Sequence, residues 1–266
     1  MNSLVLPAGV QLPELAGTQL VSFVLVMARV APLFLLAPVL SASLLPGRAK
    51  FALAAGLGVA LTPLTSTGLK VPDDPVLLAS TLAQEIGVGI AFALALAVVA
   101  AAVQAGAGII DTLVGFSFSS LVDPFTGLSG GVLGRVYGIV ASLVFVLSGG
   151  IRLMVMGIAK SYEVVPLGSF PAPGALAKLA VAGLSALPVM GLELVGPIIL
   201  AVVVADSAFG LVSRAVPQMN VFVVGLPVKV IISFAVLAGS LPFVSAKLQS
   251  DLEVAISQTL RALGGG

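Results

Sequence analysis

The chain has 266 residues, 59% of them apolar, and its 12 basic and 11 acidic side chains make only 9% of it charged. A water-soluble domain carries roughly a quarter charged residues, so an ordinary soluble enzyme is excluded, and a mean hydropathy of +1.22 points to an integral membrane protein. A net charge of +1 supplies no field for nucleic acid, and the absence of Cys and His removes thiolate and imidazole chemistry, disulfides and the usual zinc and haem ligands, so no metal or other cofactor is expected.

The opening MNSLVLPAGVQLPELAG has no basic n-region and no cleavage pattern, which argues against a removable signal peptide. Hydrophobic passages follow at about 19–40, 44–62, 76–108, 136–158, 179–204 and 221–244, each long enough as a helix to cross a ~30 Å hydrocarbon core. Uncharged runs of that length are few, at 30–47, 51–69 and 86–110, and Pro32, Pro38, Pro46 and Pro63 interrupt the first two. Arg29, Glu85, Arg152, Glu193 and Lys229 all sit inside apolar sequence. A charge at mid-bilayer costs about 2.5–3.5 kcal/mol on the insertion scale, so such residues face protein or water, or lie near a passage end and snorkel.

Loop charges do not orient a serpentine bundle. With the N-terminus outside, Arg48, Lys50, Arg135 and Arg214 fall inside, against Lys70, Lys160, Lys178, Lys247 and Arg261 outside. The expected fold is therefore an all-α membrane protein of about six long, kinked apolar helices in a non-serpentine, assembly-dependent arrangement. Gly130, Gly134 and Gly138 recur every four residues, a spacing that opens a groove for close helix packing, within the chain or against a partner. Gly149 with Gly150 permits local unwinding. The loop at 164–174, with Pro166, Pro171 and Pro173, cannot be helical throughout and reads as a hinge between two halves.

Four stretches stand out. In ARVAPLFLLAPVLS (28–41) two prolines bend the chain around Arg29, and EIGVG (85–89) offers Glu85, a carboxylate able to neutralise Arg29 in the interior. GIIDTLVGFSFSSLVDPFTG (108–127) contains Asp111, an alternation of Phe116, Ser117, Phe118 and Ser119, and the turn signal Asp123–Pro124, so it reads as extended or looped. Such a loop in a membrane protein must lie inside protein or line a cavity, which makes it the candidate for a constriction or plug, or else a loop that only packs on neighbouring helices. DSAFGLVSRAVPQMNVFVVGLPVK (206–229) reads as a helix ending near Arg214, a turn over 215–220 with Pro217, Gln218 and Asn220, and a helix that contains Pro227.

These four stretches, in this order and spacing from Ala28 to about Lys229, resemble the flagellar biosynthetic protein FliR family, which includes the corresponding subunit of virulence type III secretion systems. The sharpest parts are GFSFSSLVDPFTG and RAVPQMNVFVVGLPVK. The resemblance implies a non-enzymatic, pore-forming subunit of the bacterial inner membrane and flagellar basal body. It would assemble with FliP-like and FliQ-like subunits, beside FlhB-like and FlhA-like export proteins, into a gate for unfolded export substrates. It further implies that residues 1–174 form a FliP-like part with a plug loop around 111–127, and 175–266 a FliQ-like hairpin and tail. Carried over, Gly115, Phe116, Ser117, Phe118, Leu121, Val122 and Asp123 lie in or beside the plug, with Pro124 fixing its exit. Arg214, Pro217, Gln218 and Asn220 are then assembly residues.

Two other classes stay open from the residues alone. Broken helices and interior charges also suit a small-solute secondary transporter, against which stand the lack of an internal repeat and of a carboxylate cluster. An intramembrane enzyme would need a base, and the serines have no His or paired carboxylates near them. Within the resemblance, the virulence injectisome equivalent is the alternative to a flagellar role.

Overall fold

The structure, a computed structural model, describes residues 17–36, 46–65, 74–115, 131–169, 171–172, 174–218 and 220–265. Seven helices make up nearly all of them: α1 Gly17–Leu36, α2 Gly47–Thr65, α3 Pro75–Val114, α4 Val132–Leu147, α5 Gly150–Val164, α6 Ala175–Ala215 and α7 Val221–Gly264. No strand occurs among the described residues. The six expected passages map onto these helices, with the fourth divided between α4 and α5. Helices α1, α3, α6 and α7 are long and apolar enough to cross a membrane, and the bent pair α4–α5 makes a fifth if counted as one span. Helix α2 falls short because Arg48 and Lys50 occupy its first turn.

Local chemistry sets the element ends. Pro75 takes the first position of α3, where a missing N–H costs nothing, and the Asp74 carboxylate accepts the Val76 N–H at 2.9 Å. The helix then runs to Val114, which corrects the looped reading of 108–127 for its first part: residues 108–114 are helical. Ile109, Ile110, Leu113 and Val114 continue the apolar helix, and the one charge there, Asp111, finds a backbone donor outside it in the Gly134 N–H. Gly115 ends the helix at φ +103°, donating its N–H to the Asp111 carbonyl at 3.1 Å. Phe116, Ser117, Phe118, Leu121, Val122, Asp123, Pro124 and Gly130 lie outside the described residues.

Between α4 and α5 the axis turns by 60°. Gly149, at φ +80°, makes the turn, and the Gln249 amide donates to the freed Ser148 carbonyl at 2.6 Å. By contrast, Pro32 and Pro63 lie within α1 and α2 and do not end them. The turn after α6 falls where the sequence places it: α6 ends at Ala215, and the Asn220 side chain accepts the Val223 N–H at 3.3 Å at the start of α7. Pro227 lies inside α7 as expected.

The described residues pack as two compact units. One draws on Met1–Ala95, Met154–Ala180 and Ile256–Gly266, the other on Leu96–Leu153 and Val181–Ala255. In the first, α1 packs on α2, and the core holds Leu25, Val26, Phe92 and Ile158. In the second, α3 and α6 approach backbone to backbone: a Cβ on Gly106 would lie 2.7 Å from the Gly191 carbonyl oxygen, and one on Gly191 would lie 2.9 Å from that of Ala102. A division by packing is a separate matter from one at 174/175, which concerns likeness to two partner types.

Candidate functional site

Among the described residues, the most buried charge is Arg29, fully enclosed on α1. Its Nε donates to Glu85 Oε2 at 2.6 Å, and the Glu85 side chain is itself 1% exposed. Nη1 donates to Ser161 Oγ at 3.1 Å and to the Val165 carbonyl at 3.0 Å, and the guanidinium lies 4.1 Å from the centre of the Tyr162 ring. The other Glu85 oxygen accepts the Gly168 N–H at 2.9 Å, with Gly168 at φ +82°. One ion pair thus fastens α1, α3, the end of α5 and the first part of the loop after it. Gly89 lies flush against this arrangement, since a Cβ there would collide with the Arg29 carbonyl and the Pro32 ring.

The sequence offered Arg29 and Glu85 as charges able to neutralise one another, and the structure pairs them; it did not mark Ser161, Tyr162 or Gly168. Tyr162 carries one faint signal, as one of only two tyrosines. The loop read as a hinge is anchored at Val165 and Gly168 by this pair, and its Ala172 N–H donates to the Leu263 carbonyl at 3.1 Å.

A second polar cluster surrounds the end of α3. Asp111, 5% exposed, accepts the Gly134 N–H on Oδ2 at 3.0 Å, while its Oδ1 has no hydrogen-bond partner among the described residues. A Cβ on Gly131 or Gly134 would overlap that carboxylate, and one on Gly138 would meet the Gln104 amide at 3.0 Å. Gly134 and Gly138 therefore serve packing inside the chain. Lys229 pairs with Asp206 and reaches the Leu113 carbonyl at 3.5 Å, so α3, α6 and α7 meet there. Tyr137 donates its hydroxyl to the Leu194 carbonyl at 3.0 Å.

Of the remaining interior charges, Glu193 pairs with Lys247 at 2.6 Å, and Lys247 also holds Asp251 at 2.9 Å. Arg152 is exposed. So are Arg214, Pro217, Gln218 and Asn220, with Arg214 in the last turn of α6, where a cation suits the helix dipole. The structure thus brings Arg29 and Glu85 together, and joins Asp111 to Gly134, while the residues of the α6–α7 turn stay at the surface.

These clusters hold helices together. Among the described residues, no group of His, Cys, Asp and Glu could hold a metal ion. Residues 20–254 match the sequence profile of the bacterial export proteins, family 1. The chain belongs to that family. It is 30% identical to flagellar biosynthetic protein FliR of Escherichia coli, over 82% of this chain and 84% of that protein. Its likeness to FliR of Bacillus subtilis is 29%, over 92% and 96% of the two chains. Surface presentation of antigens protein SpaR of Salmonella typhimurium is 27% identical over 76% of each.

Proposed function

We propose that this chain is a structural, pore-forming subunit of the flagellar type III protein export gate, non-enzymatic and resident in the bacterial inner membrane at the flagellar basal body. The observation that carries the reading is the family match over 20–254, with FliR of Bacillus subtilis covered over 96% of its length. The interior charges, held in pairs, and the long apolar helices agree with a subunit built to pack in an assembly. FliP-like and FliQ-like subunits are its partners, with FlhB-like and FlhA-like proteins beside it and unfolded flagellar proteins as cargo. Residues 1–174 are the FliP-like part and 175–266 the FliQ-like hairpin. The segment that follows Gly115, with Phe116, Phe118, Leu121 and Val122, is the plug: bulky apolar side chains block ions by excluding water, yet a loop can move aside for a polypeptide.

Deleting residues 116–122 tests this. The gate complex should still be recovered with its FliP-like and FliQ-like partners, while vesicles containing it should leak small ions. An assembled, ion-tight deletion variant would refute the plug, and stable isolation of the chain without partners would refute the gate role. The likeness to SpaR over 76% of the chain supports one second reading, the injectisome equivalent. Restoration of swimming by this chain in a strain lacking its own FliR decides between them.

A further inference from the structure

We infer that Glu193 is a docking point for an arginine presented by an apolar helix of a neighbouring gate subunit; this rests on the gate reading above. Lys247 on α7 holds two carboxylates, Glu193 on α6 at 2.6 Å and Asp251, one turn further along α7, at 2.9 Å. Two anions on one ammonium leave the cluster with an excess negative charge, and no second cation acts on Asp251 among the described residues. The Asp251 side chain is 5% exposed, and its Oδ2 has no hydrogen-bond partner among the described residues. Lys247, shared between the two, therefore leaves acceptor capacity unanswered. Glu193 is the open end of the cluster, with about half of its side chain exposed.

The backbone adds a second acceptor at the same residue. Pro197 lies inside α6 four residues after Glu193 and has no N–H, so the Glu193 carbonyl lacks the donor that a helix ordinarily supplies. A guanidinium suits this pair of acceptors, because its N–H donors form a rigid fork that can serve a carboxylate with two and a carbonyl with another, and it sheds water more readily than an ammonium. The surroundings specify that a protein presents it. Val189 and Leu200 on α6, one turn before and two turns after Glu193, are exposed, and so is Phe243 on α7, one turn before Lys247. Hydrocarbon would cover those apolar side chains but penalise the carboxylate, and water would do the reverse. An apolar helix carrying one arginine answers both. The Asp206–Lys229 pair differs in that one carboxylate meets one ammonium, which also bonds the Leu113 carbonyl, so its charge is already closed and no partner cation is assigned there.

The test uses the full chain, tagged and produced together with its FliP-like and FliQ-like subunits, and reads how much of each subunit is recovered with it. Glu193→Gln leaves Lys247 on Asp251 and should lower recovery about tenfold or more, as expected for loss of a charge-assisted bond. Glu193→Arg should abolish recovery, and reversal of one arginine to Glu in an apolar helix of a partner subunit should restore it, a rescue that a role confined to this chain would not give. The chain contains no cysteine, so Glu193→Cys supplies a single thiol. Cys placed at that same partner arginine should form a disulfide with it on oxidation by copper phenanthroline. Unchanged recovery with Glu193→Gln, a fall in the membrane level of the chain itself, or the absence of both rescue and disulfide at every arginine tried would overturn the docking point while the parent complex stands. A parent chain recovered without those subunits would overturn the gate reading and this inference with it.

Discussion

Replacing Glu85 by Ala removes two bonds at once: the 2.6 Å contact to Arg29 Nε and the 2.9 Å acceptance of the Gly168 N–H. What remains is a guanidinium with no exposure, held by one hydroxyl, one carbonyl and an aromatic face. Leaving one member of a buried pair uncompensated costs about 3–5 kcal/mol, against a total stability on the order of 5–15 kcal/mol for a domain. Glu85→Ala should therefore lower the thermal midpoint of the purified complex sharply and cut its yield. Glu85→Gln should fall between the two, because an amide oxygen still accepts from Arg29 or Gly168 while the charge goes unanswered. Arg29→Met combined with Glu85→Met should cost less than the sum of the single changes by about 2 kcal/mol, within the range measured for residues in direct contact. The assay is the temperature at which the complex loses its size-exclusion peak after brief heating. Single changes that add without coupling, or a Glu85→Ala complex indistinguishable from the parent, would refute the reasoning.

Other substitutions probe different joints. Gly106→Leu should abolish recovery of the chain, since even a Cβ there would lie 2.7 Å from the Gly191 carbonyl oxygen; normal yield would show that α3 and α6 are not in backbone contact. Gln249→Ala strips the freed Ser148 carbonyl of its 2.6 Å donor and should cost about 1–3 kcal/mol, read as faster amide exchange around the α4–α5 break. Asn220→Ala removes the cap on α7 and should cost about 1 kcal/mol. Gln218→Ala alters an exposed amide and should lower recovery of partner subunits without changing the stability of the chain itself. Lys247→Met should cost more than the loss of a surface pair, about 1–3 kcal/mol in thermal unfolding, because it leaves the buried Asp251 carboxylate without its 2.9 Å cation.

How far the sequence could be read depended on the physics involved. The sequence offered Arg29 and Glu85 as charges able to neutralise one another, because an interior charge must be answered, but left open which charges pair; the structure joins them. Their further partners depended on which backbone groups happen to be free: the Val165 carbonyl and the Gly168 N–H become available only where α5 stops, and nothing in the side-chain sequence marks them. The turn over 215–220 was legible because Pro217 limits the residue before it. The end of α3 was misplaced for the opposite reason. Asp111 looked like the start of a loop, yet a carboxylate can stay helical when a neighbouring helix offers N–H groups, and that rescue is tertiary. Glycine spacing hinted at the contact without naming its partner. Gly134 proved to make room for a carboxylate from α3, whereas the expected occupant of such a groove was another helix backbone.

The low charge content acquires a sharper meaning from where the charges sit. Only 28% of the α6 window and 17% of the α7 window is buried within the chain, against 50% for α3, and Val181, Leu184, Leu200, Val204 and Ile231 stand exposed. Taken alone, that is a lipid-facing hairpin. Yet the same two helices are joined by Glu193–Lys247 and Asp206–Lys229, whose carboxylate side chains are 49% and 44% exposed. In hydrocarbon each such charge costs about 2.5–3.5 kcal/mol on the insertion scale, and pairing need not repay the desolvation. An apolar face interrupted at two levels by half-open carboxylates is poorly matched to lipid along its length. It is well matched to neighbouring subunits that bring apolar side chains to most of the surface and donors to those two points, which is why an assembly accounts for this chain better than a free-standing bundle does.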